Sequence, residues 1–174
     1  KNGWLSGKDF LLGKDMLKRV KGVQVAEPVK FTARAYTPEH EGDYEQWKRA
    51  IADFQDDAQI SLCLGAATIS PALKLLGCDS FVTHIWGPSS TGKSAALVLA
   101  ASLYGNPKKL VEQWNQTRTG KETYFEEANS LPSFLDESQE TGHEEIERTI
   151  YEFANEKGKG RATIDNGEIR RIMS

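Results

Sequence analysis

Apolar residues recur at helical spacing along much of the chain. From Asp43, which has the character of an N-cap, the positions Tyr44, Trp47, Ile51 and Phe54 form one apolar face and predict a helix. A second helix is expected from residue 57 to about 70, with Pro71 breaking or restarting it before Gly77. Further helices are expected over residues 93–104, which are rich in alanine and leucine, and over 121–128. Residues 144–156 are expected to form an amphipathic helix with Ile146, Ile150 and Phe153 on its inner face.

Short runs rich in β-branched and aromatic residues predict strands between these helices. They cover residues 23–29, 31–36, 81–86, 110–114 and 131–135, and a hairpin over 162–172 turns at Asn166-Gly167. Strands alternating with helices indicate an α/β fold with a mainly parallel central sheet flanked by helices. Residues 43–174 are expected to form this core. Residues 1–42, which look irregular and contain a short Gly-Lys-Asp repeat, are expected to be an extension with short strands.

Composition narrows the class of protein. Hydrophobic residues make up 39% and charged residues 27%, as in ordinary globular proteins, and the formal net charge of -3 gives no global attraction to nucleic acid. Cys63 and Cys78 lack metal-type spacing and are expected to be buried free thiols of a cytoplasmic protein. The apolar stretch 58–77 contains several polar residues, which favours a buried helical pair over a membrane span.

One loop carries a specific chemical signature. Residues 87–94, Gly-Pro-Ser-Ser-Thr-Gly-Lys-Ser, match the pattern G-x-x-x-x-G-K-[ST] in full, between a predicted strand and a predicted helix. Such a loop wraps polyphosphate with backbone N–H groups, Lys93 reaches the β- and γ-phosphates, and the Ser94 hydroxyl binds Mg²⁺. The residues expected to contact ATP are Gly87, Pro88, Ser89, Ser90, Thr91, Gly92, Lys93, Ser94 and Ala95.

The predicted strand 131–135 runs into two acids, which suits the second half of such a site. Asp136 is expected to bind the Mg²⁺, directly or through water, and Glu137 to act as general base on the attacking water. A dedicated water-activating carboxylate favours hydrolysis over phosphoryl transfer to a small molecule. Asn115, Thr117 and Arg118 follow the preceding strand, and contacts to phosphate and capping of the next helix are equally compatible with their positions.

Five cations gather around the predicted C-terminal hairpin in an otherwise acidic chain. They are Lys157, Lys159, Arg161, Arg170 and Arg171. In a ring-shaped motor, such a hairpin can project into the pore and hold nucleic-acid phosphates. The alternative is a solvated hairpin whose charges protect an edge strand from aggregation, and Asp165 and Glu168 beside the turn favour that alternative.

Several strings together resemble the domain of unknown function 927 family of P-loop proteins. They are HIWGPSSTGKSAAL (84–97), ASLYGNP (101–107), WNQT (114–117), LPSFLDES (131–138) and GKGR (158–161), so the similarity spans about residues 43–174. The resemblance implies an AAA+-like ATPase module with Walker A and Walker B motifs. It further implies a helicase or primase-helicase of a phage or mobile element, which uses ATP and Mg²⁺ and acts on DNA as a homo-oligomeric ring, a hexamer being the expected form.

Two other functions fit the same motifs. The chain can be a P-loop ATPase that acts on proteins or in defence signalling, or a nucleotide-binding switch or assembly module with little hydrolysis. The first residue, Lys1, and the strand that begins near Ile172 suggest a piece of a longer protein. The sensor residue, the trans-acting arginine and the helical lid are then expected beyond Ser174. Residues 1–174 alone are expected to show weak or undetectable ATP hydrolysis.

Overall fold

The computed structural model describes residues 1–5, 9–20, 23–30, 34–39, 41–136, 142–154, 162–165 and 168–171. Within these ranges the chain is mixed α/β, with a four-stranded antiparallel sheet, a parallel pair of strands, an antiparallel hairpin and six helices. The expected mixture of helices and strands is present. The described ranges contain one parallel pair of strands, so the mainly parallel central sheet stays a prediction.

The N-terminal residues form an antiparallel meander of four strands. These are β1 (Gly3–Trp4), β2 (Phe10–Leu12), β3 (Asp15–Val20) and β4 (Val23–Pro28), paired in chain order. The Gly-Lys-Asp repeat accounts for two of them, since its copies lead into β2 and β3, which face each other with Leu11 opposite Met16. The repeat thus marks a hairpin in a region whose sequence looked irregular.

The first two helices begin where their capping residues predicted. Helix α1 (Tyr44–Ala52) follows Asp43, whose side chain accepts a hydrogen bond from the backbone N–H of Gln46. Helix α2 (Ala58–Leu76) follows Asp57, which accepts from Ile60 in the same way, and it ends at Gly77 in the left-handed conformation.

The prediction that Pro71 interrupts the second helix is wrong. Helix α2 is continuous through Pro71, although proline cannot donate to the carbonyl of Ala67 four residues earlier. The Tyr104 hydroxyl donates to that carbonyl instead, over 2.8 Å. The Trp4 indole N–H donates to the Pro71 carbonyl over 2.7 Å. The Tyr104 hydrogen bond therefore supplies the donor that proline lacks, and the Trp4 hydrogen bond is a further tertiary contact at the same turn.

Helix α2 is also less buried than expected. Ile60, Cys63 and Ala67 are its buried residues, whereas Leu62 and Leu76 are exposed, and Cys78 beyond it is exposed too. A buried pair of helices was expected here, and the structure instead has one helix that buries one face. By length and composition alone, this helix is long and apolar enough to span a membrane. Core helices of soluble proteins meet the same two criteria.

The remaining elements follow the predicted order. They are α3 (Lys93–Ala101), α4 (Pro107–Leu110), β5 (Val111–Gln113), α5 (Arg118–Ala128), β6 (Phe134–Asp136), α6 (His143–Ala154), β7 (Ala162–Asp165) and β8 (Glu168–Arg171). Strands β5 and β6 pair in parallel, and β7 pairs with β8 as the predicted hairpin. The one-turn helix α4, capped by Asn106, was not predicted.

Two predicted strands are not formed as such. Residues 81–86 are extended but belong to no ladder, and their side chains are largely exposed, Trp86 to 84%. No described strand lies alongside them to supply the hydrogen bonds that a ladder needs. In the run 31–36, the described residues 34–36 are not a strand because their three backbone N–H groups donate to one carboxylate oxygen of Glu127, over 2.7–3.0 Å.

The N-terminal meander is fastened to the core by a buried asparagine. The Asn2 side chain donates to the carbonyls of Tyr36 and Glu127 and accepts from the Gly13 N–H. Its own carbonyl accepts from Asn129, over 2.7 Å. Gly13, at φ 58, passes so close to Pro38 that an added Cβ would lie 2.0 Å from the Pro38 carbonyl oxygen. The start of the meander is therefore anchored on Glu127 and Asn129, at the C-terminal end of the helix over residues 118–128.

Candidate phosphate-binding site

The signature loop is built around a left-handed turn at the start of helix α3. Gly92 is the N-cap residue at φ 83, and Ser90 also has a positive φ of 62. Because glycine adopts this conformation without strain, the pattern requires it at this position. No side chain caps α3, so the N–H groups of its first turn point out of the helix without a capping acceptor.

Lys93 folds back over the loop that precedes it. Its ammonium donates to the Gly87 carbonyl over 2.9 Å and to the Pro88 carbonyl over 2.5 Å. The Thr91 hydroxyl donates to the same Pro88 carbonyl, over 3.0 Å. The loop is therefore closed on itself, with a positive charge held at the centre of the bend.

The surface beside this charge is an open depression. Its walls are residues 90–95, namely Ser90, Thr91, Gly92, Lys93, Ser94 and Ala95. All of them except Lys93 are exposed. Hydroxyl groups, helix N–H groups and one ammonium thus share a surface that an anion from solvent can reach.

Helix α3 connects the loop to the parallel strands. It packs against β5 and β6 through small buried residues, Ala96, Ala100 and Ala101, which lie in one core with Leu110 and Phe134. Alanines allow the helix axis to approach the strands closely. The helix that begins with Lys93 and Ser94 is therefore held on the strand that ends with Asp136.

Asp136 is the last residue of β6 and is half-buried. It pairs with Gln113 of β5, and its carbonyl accepts from the Trp114 backbone N–H over 2.8 Å. Its predicted position at a strand end is confirmed. Its predicted partner in catalysis, Glu137, lies outside the described residues. In the described ranges no cluster of three or more His, Cys, Asp or Glu side chains is placed to hold a metal.

The residues after β5 have mainly structural contacts. Thr117 is the N-cap of α5 and accepts from the Gly120 N–H over 3.2 Å, as the capping alternative predicted. Arg118 pairs with Glu122 one turn later, over 3.0 Å. Asn115 is exposed beyond the end of β5.

The hairpin cations are only partly within the described structure. Arg170 and Arg171 belong to β8, opposite Thr163 and Ala162 of β7. Lys157, Lys159 and Arg161 lie outside the described residues. Their contact with nucleic acid stays a prediction.

Two residues near the strands were missed. An amphipathic pattern marks Tyr124 as an ordinary core residue and Lys121 as an ordinary solvated one. The hydroxyl of buried Tyr124 donates to the Leu110 carbonyl and accepts from the Phe134 N–H, each over 2.8 Å, so it ties β6 to the residue that precedes β5. Burial raises the pKa of the Tyr124 hydroxyl well above its ordinary value. Buried Lys121 pairs with Glu145 of α6 over 2.7 Å.

Comparison with known families identifies the chain. The profile of the domain of unknown function DUF927 matches residues 1–174. The chain belongs to the DUF927 family. The match includes the N-terminal meander, so the resemblance seen over residues 43–174 was too short. No curated protein and no solved structure shows significant similarity to this DUF927 chain.

Proposed function

We propose that this DUF927 chain binds ATP with Mg²⁺ at residues 87–95 and that it is an ATPase. The observation that carries the proposal is the closed loop itself, in which Lys93 lies against the Gly87 and Pro88 carbonyls at the uncapped start of α3. A polyphosphate offers the ammonium stronger, charged acceptors than these two carbonyls. It also satisfies the N–H groups of the first helical turn.

The side chains present fit a nucleotide with its metal. Mg²⁺ prefers oxygen ligands and is commonly held by one or two carboxylates together with substrate phosphates and water. Ser94 in the first turn of α3 supplies a hydroxyl, and Asp136 at the end of β6 supplies a carboxylate on the strand against which α3 packs. Bound Mg²⁺ would neutralise charge that develops on the β- and γ-phosphates.

Hydrolysis requires one more group, which the sequence assigns to Glu137. In this proposal the Glu137 carboxylate takes a proton from water as the water oxygen attacks the γ-phosphorus. The bond from that phosphorus to the β–γ bridging oxygen breaks, and ADP leaves. Lys93 stabilises the negative charge on the departing oxygens.

A DNA motor is the use of this ATPase that we propose, with a replicative helicase of a phage or mobile element as the specific form. The family resemblance and the cations around the C-terminal hairpin support this proposal. Homo-oligomeric assembly into a ring, cytoplasmic location and the AAA+-like P-loop fold belong to the same proposal. Strand separation driven by ATP distinguishes this use from action on proteins.

Binding of a fluorescent ATP analogue, with and without Mg²⁺, tests the core of the proposal. Lys93→Ala removes charged hydrogen bonds to phosphate of about 1.5–3 kcal/mol, so we expect affinity to fall about 10- to 100-fold. Lys108→Ala is the matched control, since Lys108 is an exposed lysine on α4. Equal affinity of the Lys93→Ala and Lys108→Ala proteins would refute nucleotide binding at this loop.

A further inference from the structure

Lys121 is a buried lysine near the start of helix α5. The residue is 5% exposed. A buried ammonium is tolerated where it is paired or hydrogen-bonded. Specific contacts must therefore hold it.

Two contacts do so, and each comes from a different element. The Lys121 ammonium lies 2.7 Å from a carboxylate oxygen of Glu145, in the first turn of α6. The hydrogen bond from Lys121, and then its charge, lower the pKa of the Glu145 carboxyl. The ammonium also lies 5.4 Å from the centre of the Trp114 ring, within the range of a cation–π contact.

Trp114 in turn holds the end of β6. It is buried, it follows β5 directly, and its backbone N–H donates to the carbonyl of Asp136. Its indole N–H is buried and has no hydrogen-bond partner in the described structure, so no hydrogen bond adds to the contact between its ring and the Lys121 ammonium. Asp136 and Glu145, on either side of the chain segment that contains Glu137, are thus both anchored on the Trp114–Lys121 pair.

We propose that Lys121 is a positioning residue of the metal site, acting on Asp136 through Trp114. The inference rests on the proposed function, since Asp136 acts as a metal ligand only there. Lys121 itself donates to Glu145 and needs no contact with the nucleotide. A residue that only stabilised the fold would change the free energy of unfolding and leave the contribution of Mg²⁺ to nucleotide affinity unchanged.

Titration calorimetry with a non-hydrolysable ATP analogue, in EDTA and in Mg²⁺, separates these roles. Lys121→Met keeps most of the aliphatic stem and removes the charge. We expect its affinity in EDTA to stay close to wild type, whereas the gain on adding Mg²⁺ falls about 10-fold, as for residues that orient metal ligands. Lys121→Arg, which keeps the charge, is expected to restore most of the gain. An unchanged Mg²⁺ gain in folded Lys121→Met protein would overturn the proposal.

Hydrogen exchange without nucleotide gives a second, independent readout. The Trp114 amide, which donates to Asp136, should exchange faster in Lys121→Met, while the Ala96 amide, which donates to Gly92, should not change. If the Lys121→Met protein does not fold, Glu145→Gln removes the anionic partner alone and is expected to change the same amide in the same direction. If adding Mg²⁺ does not raise the nucleotide affinity of the wild-type protein, the proposed function is refuted. Unchanged Trp114 exchange in a folded variant would refute positioning by Lys121.

Discussion

Removal of the Tyr104 hydroxyl tests how helix α2 accommodates Pro71. In Tyr104→Phe the ring stays, so apolar burial is nearly unchanged. The change deletes the 2.8 Å hydrogen bond to the carbonyl of Ala67, a residue only 3% exposed. A buried carbonyl without a partner costs about 1–3 kcal/mol. With a urea m-value of about 2 kcal/mol/M, the unfolding midpoint should fall by about 0.5–1.5 M.

A double-mutant cycle shows whether the proline is the cause. Pro71→Ala restores a backbone N–H that can donate to Ala67, so in that background Tyr104→Phe should cost well under half of its wild-type value. Tyr44→Phe is the control for loss of an exposed hydroxyl and is expected to change stability by less than about 0.5 kcal/mol. Equal costs of Tyr104→Phe in both backgrounds would refute the compensation of Pro71 by Tyr104.

Three further predictions concern other parts of the molecule. Burial raises the pKa of Tyr104 to about 12. Its contribution to folding stability is therefore fully present below the unfolded pKa near 10 and is lost as the pH rises toward 12. The melting temperature of wild type should fall over this pH range, and that of Tyr104→Phe should fall less. Asn2→Ala removes two hydrogen bonds from the meander to Tyr36 and Glu127 and one within the meander to Gly13. Limited proteolysis should therefore cut between residues 1 and 42 faster than in wild type, and equal rates would contradict this. Glu137→Gln should abolish ATP hydrolysis while Mg²⁺–ATP affinity stays within a factor of about 3, and a retained hydrolysis rate would contradict its role as general base.

Local chemistry made the helices and the loop predictable. Asp43 and Asp57 cap helices because a short carboxylate can accept from a first-turn N–H, and Gly77 ends α2 because it tolerates the left-handed conformation. The motif likewise specified a turn at Gly92 followed by a helix. These features depend on neighbours within a few residues, which a sequence displays directly.

Features that depend on distant partners were not predictable in this way. Residues 34–36 have strand-like composition, but Glu127, far along the chain, takes their backbone N–H groups. Pro71 signals a helix break, and only the tertiary contact with Tyr104 removes the need for one. The segment 81–86 has the composition of a strand, yet strand formation needs a neighbour, which composition does not supply.

A structure of the chain with Mg²⁺ and a non-hydrolysable ATP analogue tests the central claim most directly. The account predicts that the β-phosphate accepts from N–H groups of residues 90–95. It also predicts that the Lys93 ammonium leaves the Gly87 and Pro88 carbonyls for the phosphates, and that Asp136 faces the metal. A nucleotide bound elsewhere, with Lys93 still donating to those two carbonyls, would contradict it.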